Sequence, residues 1–203
     1  AELDGKKPRK NPVPYYKAMI EAMDREMGRL LKEAPDAIVI VAGDNGTPKI
    51  ATRPAPNANF IPKHTKETVY EGGVNVPLII AGPGIKHGES DALVGTMDIF
   101  ATVIELAGMP IPSSDSVSMV PYLKGERGSR RQTLYSEIFW PNGSVFPHTH
   151  HQRAIRDQRY KLITKRKSNK DRGEEFYDLL QDPFEMNDLL PEGLNKDRQK
   201  IYS

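Results

Sequence analysis

Two adjacent side chains carry the first chemistry legible in this chain. Asp44 and Asn45 stand between Gly43 and Gly46, directly after the apolar run Ala37-Ile38-Val39-Ile40-Val41-Ala42. A carboxylate and an amide carbonyl are hard oxygen donors, suited to Ca²⁺ or Mg²⁺ rather than to Zn²⁺. The same residues also make an ordinary Asn-Gly turn, and from the decapeptide alone the two readings are even. A second group is His148, His150 and His151, the only histidine cluster. Three imidazoles suit Zn²⁺, but no fourth ligand lies nearby in sequence. Exposed loop histidines are the default reading, and contact of His150 with a ligand at a cleft rim is preferred to an independent metal site. Asn45-Gly46-Thr47 and Asn142-Gly143-Ser144 have the form of glycosylation sequons.

The Asp-Asn pair gains meaning from the element that delivers it. The run before it is short and rich in β-branched residues, which favours a strand buried on both faces. The glycines let the backbone turn where the strand ends. The carboxyl end of a strand is where open α/β sheets place their ligands. Upstream, a helix is expected from Pro14. Tyr16, Met19, Ile20, Met23, Met27, Leu30 and Leu31 form one apolar stripe at helical spacing, predicted to pack on the sheet. Pro35 ends it. After Gly46 comes a loop of about twenty residues, a length often given to lids or binding loops. Gly72-Gly73 reads as a turn and Val76 to Ala81 as a second buried strand. A helix is expected over residues 99–107, with Ile99, Val103 and Leu106 on its apolar side. From about residue 133 the texture changes to short strands: 133–139, 153–156, 159–164 and 175–179 read as an antiparallel meander. The basic stretch 165–173 reads as a solvated loop, because no aromatic residues interleave its charges.

The composition sets limits. The chain has 203 residues, 37% hydrophobic and 28% charged, with 17 prolines and 16 glycines pointing to many loops. A net charge of +2 argues against nucleic acid or an anionic membrane as the main partner. No apolar run reaches the roughly 18 residues that a membrane span needs. The absence of cysteine excludes disulfides, thiolate metal sites and a cysteine nucleophile within these residues. The start at Ala1, without a signal peptide, reads as a processed product or a fragment of something longer.

Four stretches together resemble one family. They are G-D-N-G after the strand, K-x-T-x-Y-E-G-G-x-x-V-P-L-I-I-x-G-P-G, M-D-I-F-A-T-V-I-E-L-A-G, and A-I-R-D-x-R-Y-K-L-I followed by F-Y-D-L-x-x-D-P-x-E-x-N-D-L. In order and spacing they resemble the sulfatases of the alkaline phosphatase superfamily, from Pro14 onward. The resemblance implies an α/β fold with a partial mixed or parallel sheet flanked by helices, plus a small C-terminal antiparallel subdomain. The expected division is 1–130 and 131–203. It implies that Asp44 and Asn45 bind Ca²⁺ (or Mg²⁺) and that Lys66 contacts the sulfate group as a catalytic and substrate-binding residue. His64, two residues earlier, is a further candidate to approach the anion, alongside His150.

The family attacks sulfur with a formylglycine made in a C/S-x-P-x-R motif, and that motif is absent here. So are the other metal-binding aspartates. The resemblance therefore implies the C-terminal half of a sulfatase, whose partners are a sulfate-ester substrate and the N-terminal half of the catalytic domain. Asn75 replaces an arginine common in the family. An exported (periplasmic or extracellular) or lysosomal location is implied in the same way. A phosphodiesterase or phosphonate hydrolase of the same superfamily, and a non-catalytic fragment, are the competing readings.

Overall fold

The computed structural model describes residues 7–53, 59–141, 148–168 and 170–202. A 22-residue helix α1 (Pro12–Glu33) leads to strand β1 (Val39–Ala42), and a short helix α2 (Lys49–Thr52) follows. A 3-10 turn (Pro62–His64) and helix α3 (Glu71–Val74) precede strand β2 (Leu78–Ala81). Helices α4 (Asp98–Leu106) and α5 (Val120–Leu123) come next. Strands β3 (Leu134–Trp140), β4 (His150–Arg156), β5 (Tyr160–Lys167) and β6 (Lys170–Asp178) then form the meander, and α6 (Lys196–Tyr202) follows it.

The mixed α/β class stands, with two differences of pairing and burial. β1 and β2 pair antiparallel, Val39 opposite Ala81 and Ala42 opposite Leu78. Neither strand is buried on both faces: Ile79 is 60% exposed. The helix stripe is likewise uncovered. No residue of α1 is buried, and Met19, Met23 and Leu30 are each more than half exposed. Periodicity identified the helix and its apolar face but not what would cover that face. In α4 the buried residues are Asp98, Ala101 and Thr102, while Phe100 and Val103 face outward. Asp98 is buried because its carboxylate accepts from the Gly95 and Val117 amides and pairs with Arg131.

The meander is longer than its sequence suggests. The basic stretch continues both strands as a hairpin, with Lys167 opposite Lys170, so it is ladder rather than loop. His150 and His151 lie on β4, not in a loop. One face of this sheet holds the core. Ala154 of β4 pairs with Ile163 of β5, which pairs with Glu175 of β6, and both apolar members are buried. Val69 and Tyr70, from the segment before α3, complete that cluster with Tyr177 and Leu179.

One register higher, the same inner face carries two cations. Arg156 of β4 pairs directly with Lys161 of β5. Like charges at such a position repel. Glu71, the first residue of α3, sits between them: its Oε2 accepts from Arg156 Nη1 at 2.7 Å and its Oε1 from Lys161 Nζ at 2.9 Å. Lys161 also lies 2.9 Å from Glu185 Oε1, an ion-pair contact off the hydrogen-bonding direction. Glu185 Oε2 accepts from the Glu71 amide at 2.6 Å. Lys161 and Glu185 are each only 1% exposed. Burial holds the Glu185 carboxyl above the usual range, against the pull of Lys161. Removing one partner of such a buried set strands the others, at a cost of roughly 3–5 kcal/mol. Lys161→Met is therefore expected to lower stability by about 3 kcal/mol in urea denaturation, and a loss below about 1 kcal/mol would show that the charges are not coupled.

Candidate active site

The Asp44-Asn45 turn is fixed by backbone hydrogen bonds on both sides. Beyond the β1–β2 ladder, the Gly43 amide donates to the Pro77 carbonyl at 2.9 Å. The Gly46 amide donates to the Gly73 carbonyl of α3 at 2.9 Å, and the Lys66 amide to the Thr47 carbonyl at 3.2 Å. Three backbone segments thus meet with no space for side chains. A Cβ on Gly46 would lie 1.9 Å from the Gly72 carbonyl oxygen, and one on Gly72 would lie 2.2 Å from the His64 carbonyl oxygen. Glycine is required there by close approach of main chains. Gly72-Gly73, a turn by its residue types, forms the inner residues of α3.

Lys66 is half-buried and is followed by Glu67 at φ 71°, a left-handed conformation uncommon outside glycine. Such residues are held by their surroundings and cluster at functional sites. Asp44, Asn45 and Lys66 line one cleft of about 990 Å³. Glu71, Arg156 and Lys161 form part of its wall, and Tyr135 and Glu137 of β3 line it too. Two hard oxygens beside a cation suit a divalent ion next to a bound anion. They do not complete a calcium shell, which needs roughly six to eight oxygens. Among the described residues no group of three or more His, Asp or Glu could hold a metal.

The histidines stand elsewhere. His64 is buried and stacks on Tyr70, with ring centroids 3.6 Å apart and planes at 9°. It is not among the residues lining the cleft. Its neighbour Tyr70 donates to Glu175 Oε2 at 2.5 Å, Tyr177 donates to the same oxygen at 3.1 Å, and Lys165 pairs with both Tyr70 and Glu175. Burial pushes the Tyr70 phenol up, and the Glu175 carboxylate adds to the effect. Burial also raises Glu175, but hydrogen bonds from Lys165 and Tyr70 outweigh it and leave that carboxyl below its usual range. His150 is exposed on β4, its Nδ1 3.0 Å from the Thr149 hydroxyl, and it too is absent from the cleft wall. Asn142, one of the two sequon asparagines, lies outside the described residues.

The residues that the sequence reading did not single out are Tyr70, Glu71, Arg156, Lys161, Glu175 and Glu185. All but Glu175 lie inside the motifs that carry the family resemblance, and one of them also had a structural signal of its own. In Tyr160-Lys161-Leu162-Ile163 the strand alternation places Lys161 on the same face as the core residue Ile163. An inward lysine demands buried carboxylates.

Comparison with known proteins now decides the family. Residues 3–109 match the model described as Sulfatase. Residues 63–201 match the one described as N-sulphoglucosamine sulphohydrolase, C-terminal. The chain belongs to the sulfatase family. It is 30% identical over 183 residues to a Delta 4,5-hexuronate-2-O-sulfatase of Bacteroides thetaiotaomicron, covering 86% of this chain and 35% of that protein. To human Arylsulfatase A it is 30% identical over 138 residues, covering 64% of this chain and 26% of that protein. Among solved structures it is similar to a sulfatase in complex with its substrate D-Glucosamine-2-N, 6-O-disulfate. There the TM-score is 0.69 at 27% identity, over 90% of this chain and 37% of that one. A 2-O GAG sulfatase gives a TM-score of 0.61 at 29% identity, over 81% and 33%. This sulfatase chain therefore spans about a third of the length of the first relatives it matches. Among its described residues no helix is long and apolar enough to cross a membrane.

His64 gives a pH prediction. Burial lowers its pKa below 6.5, against the opposing pull of Glu175. The unfolded chain then takes up the proton first, so stability is fully present above about pH 6.5 and falls as the pH drops through the folded pKa. His64→Phe keeps the ring stack and removes the titration. Melting temperature measured between about pH 7.5 and 5 is expected to decline less steeply in His64→Phe than in the native protein. Equal slopes would show that His64 is not held neutral.

Proposed function

We propose that this chain is part of a sulfuric ester hydrolase and contributes one side of its active site. The observation that carries the reading is the shared cleft: Asp44, Asn45 and Lys66 all line it. Asp44 and Asn45 would hold a divalent cation, Ca²⁺ or Mg²⁺, as two members of a larger oxygen shell. When bound, such an ion supplies Lewis-acid stabilisation of charge on sulfuryl oxygens. Lys66 binds and neutralises the sulfate group as a compact cation, and its strength grows as water leaves the cleft. The named substrates of the relatives, a hexuronate 2-O-sulfate and a glucosamine disulfate, favour a sulfated sugar as the alcohol portion of the ester.

The nucleophile is a formylglycine outside these residues, and the remaining metal ligands come from an N-terminal half of the catalytic domain. Three facts support that division of labour. The chain spans about a third of its relatives, Asp44 and Asn45 are too few for a shell, and the apolar faces of α1 and β2 are exposed. We read residues 1–130 as the second part of the catalytic α/β unit and 131–203 as the antiparallel subdomain. An exported or lysosomal location accords with family membership.

Turnover of aryl sulfate and aryl phosphate esters tests the reading. The natural full-length protein is expected to cleave the sulfate faster, and Lys66→Ala to lower kcat/KM by about 10²-fold or more. The 203 residues alone are expected to give no turnover. Faster phosphate cleavage, or activity of the isolated chain, would overturn it.

A further inference from the structure

The buried charge cluster and the metal turn share one short helix. Four-residue α3 begins at Glu71, whose side chain is gripped by Arg156 and Lys161 and whose amide is gripped by Glu185. Two residues on, the Gly73 carbonyl accepts from Gly46, the residue that closes the Asp44-Asn45 turn. Nothing longer than α3 itself separates the two grips. We propose that Glu71, with Arg156, Lys161 and Glu185, forms a positioning cluster that sets the geometry of the Asp44-Asn45 turn from the meander side.

Several features make the coupling rigid. The Cβ positions of Gly46, Gly72 and Gly73 are closed by neighbouring backbone, so α3 cannot shift without moving the turn. Glu185 adopts a left-handed backbone at φ 56°, a cost that its bonds to Glu71 and Lys161 offset. Glu71 faces two cations, so its charge is needed to hold both strands to the helix. The cleft is therefore built by the antiparallel sheet as much as by the β1–β2 pair. This places Glu71 and Lys161 as positioning residues: they act through Gly73 and Gly46 rather than by touching substrate. The role in metal binding rests on the function proposed above; the mechanical link does not.

Amide hydrogen exchange on the natural full-length protein, without added metal, reads the link directly. In Glu71→Gln, and in the milder Arg156→Gln at the edge of the cluster, exchange over residues 43–47 and 71–74 is expected to quicken about tenfold or more. Exchange in the β4–β5 ladder away from the Arg156–Lys161 pair is expected to quicken by a clearly smaller factor than at 43–47. Arg130→Gln, which removes only an exposed ion pair with Glu126, is expected to stay near native in both regions. Acceleration in the ladder equal to that at 43–47 would mark a merely structural cluster and overturn the proposal, as would no change at 43–47. Calcium titration by calorimetry then reads the consequence: ligand-orienting partners typically contribute 10–100-fold in metal affinity, and a loss in that range is expected for Glu71→Gln. An unchanged affinity in Glu71→Gln overturns the positioning of the metal turn. A native protein that binds no calcium overturns the proposed metal role instead, while the exchange result still decides the link.

Discussion

The contact on which the rest of this structure depends is the ammonium of Lys161, held away from solvent between Glu71 and Glu185. A lone buried ammonium would lose its proton or unfold its surroundings. Its two carboxylates arrive from distant parts of the chain, one from the helix beside the Asp44-Asn45 turn and one from the loop after β6. Satisfying this single group therefore forces three segments into register. Arg156 adds a second cation to the same carboxylate of Glu71, which turns a repulsive cross-strand pair into an attractive triad.

A parallel logic runs one step away along the sheet. Tyr70 precedes Glu71, so its side chain enters the meander beside the ion cluster. There it meets Glu175, Lys165 and Tyr177, with His64 stacked on its outer face. Phe60 packs edge-on against Phe184 at 5.1 Å. The segment from 60 to 74 is thus tied to the antiparallel sheet by aromatic contacts, hydrogen bonds and ion pairs in succession. Lys66 lies inside that segment. Its position in the cleft follows from the ties on either side of it, since its own backbone bond is to Thr47.

The elements before the meander have a different character. There α1, β2 and α4 present Met19, Met23, Leu30, Ile79, Phe100 and Val103 to the surface. An apolar stripe over a whole helix and a strand face exceeds the scattered exposure usual on a protein surface. The well-packed core lies where the meander meets the 60–74 segment, and the uncovered faces belong to α1, β2 and α4. Sulfatase relatives of which this chain covers about a third give that asymmetry its context.

Sequence alone determined what local physics controls. Heptad-like spacing gave α1, β-branched runs gave β1 and β2, and the change of texture near residue 133 gave the meander. Motif order gave the family. These are nearest-neighbour properties, written in residues a few positions apart. The antiparallel pairing of β1 with β2, the outward turn of the α1 stripe and the strand that replaced the basic loop came only with the tertiary structure. Each depends on which surface lies opposite, and periodicity carries no record of that. The same holds for the site. Asp44 and Asn45 announce themselves by their chemistry and their glycines. Glu71, Lys161 and Glu185 are separated by 90 and 24 positions, and although each falls in a family motif, nothing local says that they meet. Only the fold brings them into one dry cluster, because the electrostatic cost of burying each is cancelled by partners that local sequence cannot name.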